Sequence, residues 1–346
     1  MGSTVRIEFA PDVSDSRRAR VLDAWTGALA STEMPDAIVR VDAHGRIDSL
    51  LEQLSVRVTL AALEHQRGRM IMMHAAGVAL DDGRVVAFVG PSGRGKTTLS
   101  SALGAHFGYV SDETVAVDLD LEVRAYRKPL SLVRSDGPKE QVSPVRAGLM
   151  DLPDAPLRLA ALVLLDRRSG VTEPVASRVP VIDAIAELVP QLSFMNDFDA
   201  PLQRLAGLCD AVGGVWRLSY GEAATLVPLV PELVRAPPGI RGAWRPVVPT
   251  RARPTSAPAP FEWAAISDAI AAEESVAVMN DGVYRVLAGI APSIWLGIGS
   301  GLSVEQLVER AIEDFGPPPH GDASELVAAA IDELVGEGLV VRGTAQ

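Results

Sequence analysis

Val85-Val86-Ala87-Phe88-Val89 is followed without a break by Gly90-Pro91-Ser92-Gly93-Arg94-Gly95-Lys96-Thr97, and then by Thr98-Leu99-Ser100-Ser101-Ala102-Leu103. The first five residues are apolar on both faces, as in a strand buried between two layers. The next eight form a complete phosphate loop of the Walker A pattern, and the last six open a helix. Its glycines let successive backbone N–H groups turn inward around phosphate oxygens. The positive end of the helix dipole adds to the same anion site. In this setting Lys96 reaches the β- and γ-phosphates of a nucleotide, and the Thr97 hydroxyl is placed to ligate Mg2+. The expected nucleotide-binding set is Gly90, Pro91, Ser92, Gly93, Arg94, Gly95, Lys96, Thr97 and Thr98.

Working outward, Asp81-Asp82-Gly83-Arg84 is turn chemistry, and the apolar run Met70 to Ala79 before it reads as a partner strand. Residues 46–68 carry Ile47, Leu50, Leu51, Leu54, Val58, Leu60 and Leu63 at helical spacing in places, so a helix is expected to end near Gly68. His74 lies on the partner strand, 22 residues before Lys96. A histidine so placed is structural more often than chemical. Sixteen residues after Lys96 comes the acid pair Asp112-Glu113, behind Phe107-Gly108-Tyr109-Val110. Adjacent carboxylates at a strand–turn position close behind a phosphate loop suit metal binding and proton acceptance. Farther on, Ala161 to Arg167 reads as a buried strand ending at Asp166, whose carboxylate either faces the site or caps a turn.

Other classes of phosphate-loop protein fit less well. Leu218-Ser219-Tyr220-Gly221-Glu222 superficially suggests an ABC-type signature, but Leu226-Val227-Pro228-Leu229-Val230-Pro231 then replaces the apolar strand ending in acids. A guanine-reading Asn-Lys-x-Asp motif is missing from the sequence. Forty-four acidic against 32 basic residues leave a net charge of −12, which argues against broad nucleic-acid binding. The single cysteine, Cys209, excludes a disulfide framework and a cysteine-rich metal site, and it reads as a small buried hydrophobe. No stretch reaches the length of an apolar membrane span, and Met1 to Glu8 lacks a secretion signal, so a soluble cytoplasmic protein is expected.

The order His74, hairpin, phosphate loop, acid pair resembles the HPr kinase/phosphorylase family, whose core is like that of phosphoenolpyruvate carboxykinase. The resemblance covers residues 46–135 and extends more loosely to 235. It implies an α/β ATP-dependent phosphotransferase using ATP and Mg2+. Lys96 and Thr97 would handle phosphates and metal, and His74 would stand near the transferred phosphate. Asp112 would help hold the metal, and Glu113 matches the proton acceptor that activates a substrate serine. The family usually has two aspartates here, so the one-methylene-longer Glu113 leaves Asp112 as an alternative base. A downstream glycine- and arginine-rich motif of true HPr kinases is missing. The match is better to shorter HPr-kinase-like proteins of peptide-tailoring systems, including lasso-peptide kinases, which also carry the run Lys128-Pro129-Leu130-Ser131. Lys128 and Arg127 are then candidates for contact with phosphate or substrate, solvation being the alternative.

The rest of the chain divides by composition. Arg235 to Pro260 holds seven prolines and five arginines with no acid, the pattern of an extended linker. Residues 261–346 carry fourteen acids against three arginines. There Asn280-Asp281-Gly282 marks a hairpin, Ser303-Val304-Glu305-Gln306 a capping box, and Ser324 to Leu334 a second helix, with a last strand at Leu339 to Arg342. A small winged-helix-like α+β domain follows from that order. It resembles the PqqD-like peptide-recognition domain, which binds a precursor's leader peptide as an added strand. The expected organisation is an N-terminal segment or subdomain at 1–45, an HPr-kinase-like ATP-binding domain at 46–235, a proline- and arginine-rich linker at 236–260 and a PqqD-like peptide-binding domain at 261–346.

These readings converge on a kinase that phosphorylates a serine or other hydroxyl of a ribosomally made precursor peptide, with the leader held by the C-terminal domain. A nucleotide-binding chaperone or adaptor without phosphoryl transfer is the alternative, and a generic NTPase a third. The expected partner is the leader peptide; other peptide-maturation enzymes and self-association stay open, and neither nucleic acid nor membrane is expected.

Overall fold

Strands Ile71–Ala79 and Arg84–Val89 are apolar along nearly their whole length, so both faces need covering, and they lie at the centre of a sheet. The computed structural model describes residues 1–30, 34–91, 93, 95–132, 139–237, 239, 243–248 and 260–343. The chain divides into two units, Met1–Pro180 with Glu187–Phe198 and Leu208–Arg241, and Val181–Ala186 with Asp199–Gly207 and Gly242–Gln346.

The first unit is a mixed α/β body. Its central sheet runs Val175–Val179, Val215–Tyr220, Arg158–Arg167, Arg84–Val89, Ile71–Ala79, Thr114–Val117, Val123–Arg124. Arg158–Arg167 is parallel to both Arg84–Val89 and Val215–Tyr220, and the other neighbours in that row are antiparallel. The tight turn joining Ile71–Ala79 to Arg84–Val89 forces glycine at 83: its φ is +84°, and a Cβ there would sit 2.3 Å from the Pro156 carbonyl oxygen. Helix Lys96–Gly104 packs Leu99 and Leu103 against Val78, Val86, Phe88 and Val163. Buried Cys209 behaves as the sequence implied, and burial pushes its thiol up to about 12.

Residues 1–45, expected as an N-terminal segment or subdomain, hold two strands and a helix among the described residues. Strands Val5–Phe9 and Ala37–Val41 pair in parallel, with helix Asp15–Ala24 between them in sequence. Val21, Trp25, Val39 and Val41 share one apolar cluster with Leu51, Leu54 and Val58 of helix Ile47–His65. The helical spacing that predicted that helix is what makes the cluster.

The second unit has an antiparallel sheet ordered Trp244–Pro246, Asp268–Ala272, Ser275–Asn280, Val283–Leu287, with helices Ala291–Gly299, Val304–Phe315 and Ala323–Gly336. Asp281 and Gly282 take φ of 47° and 76°, as a two-residue hairpin turn requires. The capping box forms in both directions between Ser303 and Gln306. Trp295 is fully buried and stacks on Trp263 at 4.2 Å; a Cβ on Gly299 would come within 2.1 Å of that Trp263 ring.

Two boundaries differ from expectation. The proline- and arginine-rich run is not linker throughout, because Trp244–Pro246 is an edge strand and Val247 enters the apolar cluster; residues 249–259 lie outside the described part. Also, 181–186 and 199–207 group with the C-terminal residues: Asp268 accepts from the Gln203 N–H at 3.0 Å and from its side-chain amide at 2.7 Å. Buried Asp268 thereby supplies an acceptor to a helix start distant in sequence. No helix among the described residues is long and apolar enough to cross a membrane.

Candidate functional site

The phosphate loop leaves the C-terminal end of Arg84–Val89, where ligands gather in open α/β sheets. Gly93 and Gly95 both take left-handed φ, +80° and +83°. A Cβ on Gly93 would meet open space, so backbone conformation sets the demand there. At Gly95 a Cβ would lie 3.3 Å from the Arg167 guanidinium. Thr98 is on the first turn of the helix that the loop opens. Ser92 and Arg94, expected in the nucleotide set, lie outside the described residues.

Lys96 is buried, and its ammonium donates to the carbonyls of Gly90 at 2.6 Å and Pro91 at 3.1 Å. Burial holds its pKa below the usual lysine range, opposed by the charges of Glu113 and Asp112.

The acid pair owes its position to an interruption in strand pairing. Gly108–Ser111 and Thr114–Val117 both pair antiparallel with Ile71–Ala79, and Asp112-Glu113 is the step between them. Ser111 Oγ accepts from the N–H groups of Glu113 and Thr114, which closes the step as a tight turn. Asp112 then has three partners: Thr97 Oγ1 donates to Oδ2 at 3.3 Å, the buried Tyr109 hydroxyl donates to Oδ1 at 3.0 Å, and Lys128 Nζ stands 3.3 Å from Oδ1. Lys128 Nζ also lies 2.9 Å from Glu113 Oε2. Burial pushes the Lys128 ammonium down, the two carboxylates push it up, and the net direction is up.

His74 meets the pair through its backbone. Its Nδ1 is 3.0 Å from the Glu113 carbonyl oxygen, beside the strand bond from Ala75 N–H to the same oxygen at 3.1 Å. A carbonyl only accepts, so Nδ1 carries the hydrogen and Nε2 offers its lone pair. Burial first, and the Lys96 charge second, hold the imidazole pKa below its ordinary value.

The structure thus brings His74, Lys96, Thr97, Asp112 and Glu113 together. It also adds two residues to the site. Lys128, a candidate for phosphate or substrate contact with solvation as the alternative, is buried between the acids. Tyr109, three residues before Asp112, was not singled out; its signal was a polar aromatic on the short strand Gly108–Ser111 that leads into the acid pair. Asp166 is tied elsewhere: it accepts from Ser219 Oγ and Arg168 Nε, each at 2.7 Å, and that arginine holds its carboxyl below the usual range. Strand alternation puts Leu165 against Gly90 and Arg167 by Gly95, so Asp166 belongs to the opposite face.

The donor chemistry fits a phosphate with Mg2+. The loop offers a helix N-terminus and a lysine, and Thr97 Oγ1 with Asp112 Oδ2 forms a pair of hard oxygens 3.3 Å apart. Magnesium sites of this kind use one or two carboxylates together with phosphate oxygens and water.

No family model matches the chain, and no curated protein matches it. Among solved structures, the chain is similar to the HPr(Ser) kinase/phosphatase from Coxiella burnetii, at 14% identity over 47% of this chain and 93% of that one, with a TM-score of 0.27. A likeness that loose carries no argument. The α/β fold therefore rests on this chain's own strand order and loop geometry.

Proposed function

We propose that the chain is an ATP-dependent kinase that phosphorylates a serine, or another hydroxyl, of a ribosomally made precursor peptide. One observation carries this reading: a partly exposed carboxylate, Glu113, stands beside a phosphate loop whose Thr97 already touches the neighbouring Asp112. A proton acceptor at that place is what transfer to a hydroxyl requires. Loop N–H groups and Lys96 bind the triphosphate, with Lys96 exchanging its loop carbonyls for phosphate oxygens. Thr97 and Asp112 would hold Mg2+, which when bound supplies charge neutralisation at the phosphates. Glu113 accepts the proton of the substrate hydroxyl as that oxygen bonds to the γ-phosphorus and the bond to the ADP oxygen breaks. His74, neutral, presents Nε2 as a further acceptor and holds the Glu113 backbone in place.

Recognition of the leader is assigned to the second unit. Val283–Leu287 is the end strand of its sheet among the described residues, with Val283 and Val286 exposed. An extended peptide adds to such an edge through main-chain hydrogen bonds. The acidic composition of residues 261–346 favours a basic leader. Tethering would raise the local concentration of the core peptide at the phosphate loop.

The test is an intact mass spectrum of the candidate precursor peptide after incubation with the protein, ATP and Mg2+. The expected result is one added phosphate, lost with Lys96→Ala. An unchanged peptide mass with peptide still bound would select the second reading, a nucleotide-gated chaperone or adaptor. One observation favours that reading: both carboxylates are already paired with Lys128.

A further inference from the structure

Of the chain's 32 lysine and arginine residues only three are lysines: Lys96, Lys128 and Lys139. Two of these three, Lys96 and Lys128, are the buried ones, and both stand at the acid pair. A chain that uses arginine almost everywhere has kept the compact, single-point ammonium at these two places. At Lys96 the phosphate loop explains it. At Lys128 the explanation lies in what the ammonium touches.

Lys128 Nζ is 3.3 Å from Asp112 Oδ1, 2.9 Å from Glu113 Oε2 and 3.1 Å from the Pro129 carbonyl oxygen. Tyr109 shares Asp112 Oδ1 with it. Each carboxylate therefore has one oxygen pinned on the lysine side. Asp112 Oδ2 is left toward Thr97 Oγ1. The other Glu113 oxygen is without a hydrogen bond among the described residues, on a side chain that is 36% exposed. A planar guanidinium spreads its donors over a rigid fork, so it could not bring one nitrogen to both carboxylates and the carbonyl as the single ammonium does.

We propose that Lys128 is a positioning residue with two effects. It divides the acid pair into a metal-facing carboxylate, Asp112, and a proton-accepting one, Glu113. Its ammonium also opposes a divalent cation at Thr97 and Asp112, so that the ion is held firmly only together with a nucleotide's phosphates. The charge count supports the second effect: the two carboxylates with the Lys96 and Lys128 ammoniums come to zero, and loss of Lys128 leaves −1, close enough to a cation at Asp112 to matter in a partly buried site. This inference rests on the kinase reading for its proton-accepting half, and on the site's charges alone for its metal half.

The experiment compares Mn2+ binding to the nucleotide-free full chain, by electron paramagnetic resonance of free Mn2+, for the wild type and Lys128→Met. The variant is expected to bind Mn2+ about tenfold more tightly. In the same variant peptide phosphorylation is expected to fall about a hundredfold in kcat, with KM for ATP changed less than about threefold. Those opposite signs are the signature, because a merely structural lysine would weaken metal binding and turnover together. If Lys128→Met does not fold, the comparison is Glu113→Gln against Lys128→Met/Glu113→Gln, and the double variant should bind Mn2+ more tightly. Equal or weaker Mn2+ binding without the lysine overturns the proposal. A wild type that transfers no phosphate, with the Mn2+ shift intact, overturns the kinase reading and upholds the metal half of this one.

Discussion

His74 illustrates how a residue's chemistry is set by its surroundings. Read alone, it was one histidine on a strand, with structural service as its ordinary fate. In place, it donates from Nδ1 to the Glu113 carbonyl and stands half-buried near Lys96. Burial and that neighbouring charge both disfavour the imidazolium, so its pKa in the folded protein is below the value of about 6.5 for an unperturbed ring. The unfolded chain then takes up a proton at pH values where the folded chain does not. Stability from this ring is fully present above about pH 6.5 and is lost as pH falls through the lower folded value. Thermal melts at pH 7 and pH 5 should therefore show a smaller loss for His74→Gln than for the wild type. An equal loss in the two proteins would mean that other groups dominate acid destabilisation. The spacing of His74 from the loop was legible in the sequence; its tautomer was not, because the acceptor lies 39 residues away in the chain.

Strands and helices were legible wherever local rules fix them. The hairpin at Asp281-Gly282, the capping box at Ser303 and the apolar strand before the loop all appear where their residues demand. The strand Trp244–Pro246 did not announce itself, since three residues with an arginine and a proline show no periodicity. Its pairing explains how proline is tolerated. The N–H of Val247 donates to Ala269 at 2.9 Å, so in an antiparallel ladder the paired positions fall at Val247 and Arg245, and Pro246 has no donor to lose. Arg245→Pro should remove a ladder bond to Ala271 and cost about 2 kcal/mol, whereas Arg245→Ala should cost little. The check is a denaturant melt of both variants, with amide exchange at the Asp268–Ala272 strand. Equal stability of the two would show that the strand contributes nothing to the sheet.

Charge is distributed unevenly along the chain: residues 261–346 carry nearly all of the excess acid, while Arg235 to Pro260 carries five arginines and no acid. If the C-terminal residues capture a basic leader, attraction between exposed charges must weaken as salt screens it. Anisotropy titrations of a labelled basic leader should show affinity falling about tenfold between about 50 mM and 300 mM salt. A salt-independent affinity would point to strand addition and apolar contact alone. Composition also suggested a linear order of domains, whereas in the fold 181–186 and 199–207 belong with the C-terminal residues.

The amino-acid sequence by itself determined the phosphate loop, the strand and helix that flank it, the hairpins and the capped helices. Each of these depends on residues within a few positions of one another: glycine φ, turn chemistry, apolar period, side-chain caps. Only the tertiary structure decided that Lys128 and Tyr109 complete the acid pair, that Asp166 belongs to another face, and that Asp268 caps a helix start 65 residues away. These contacts join elements brought side by side by burial of a common core. Burial is non-directional and roughly proportional to apolar area, so it leaves no local mark on which polar side chains it brings together.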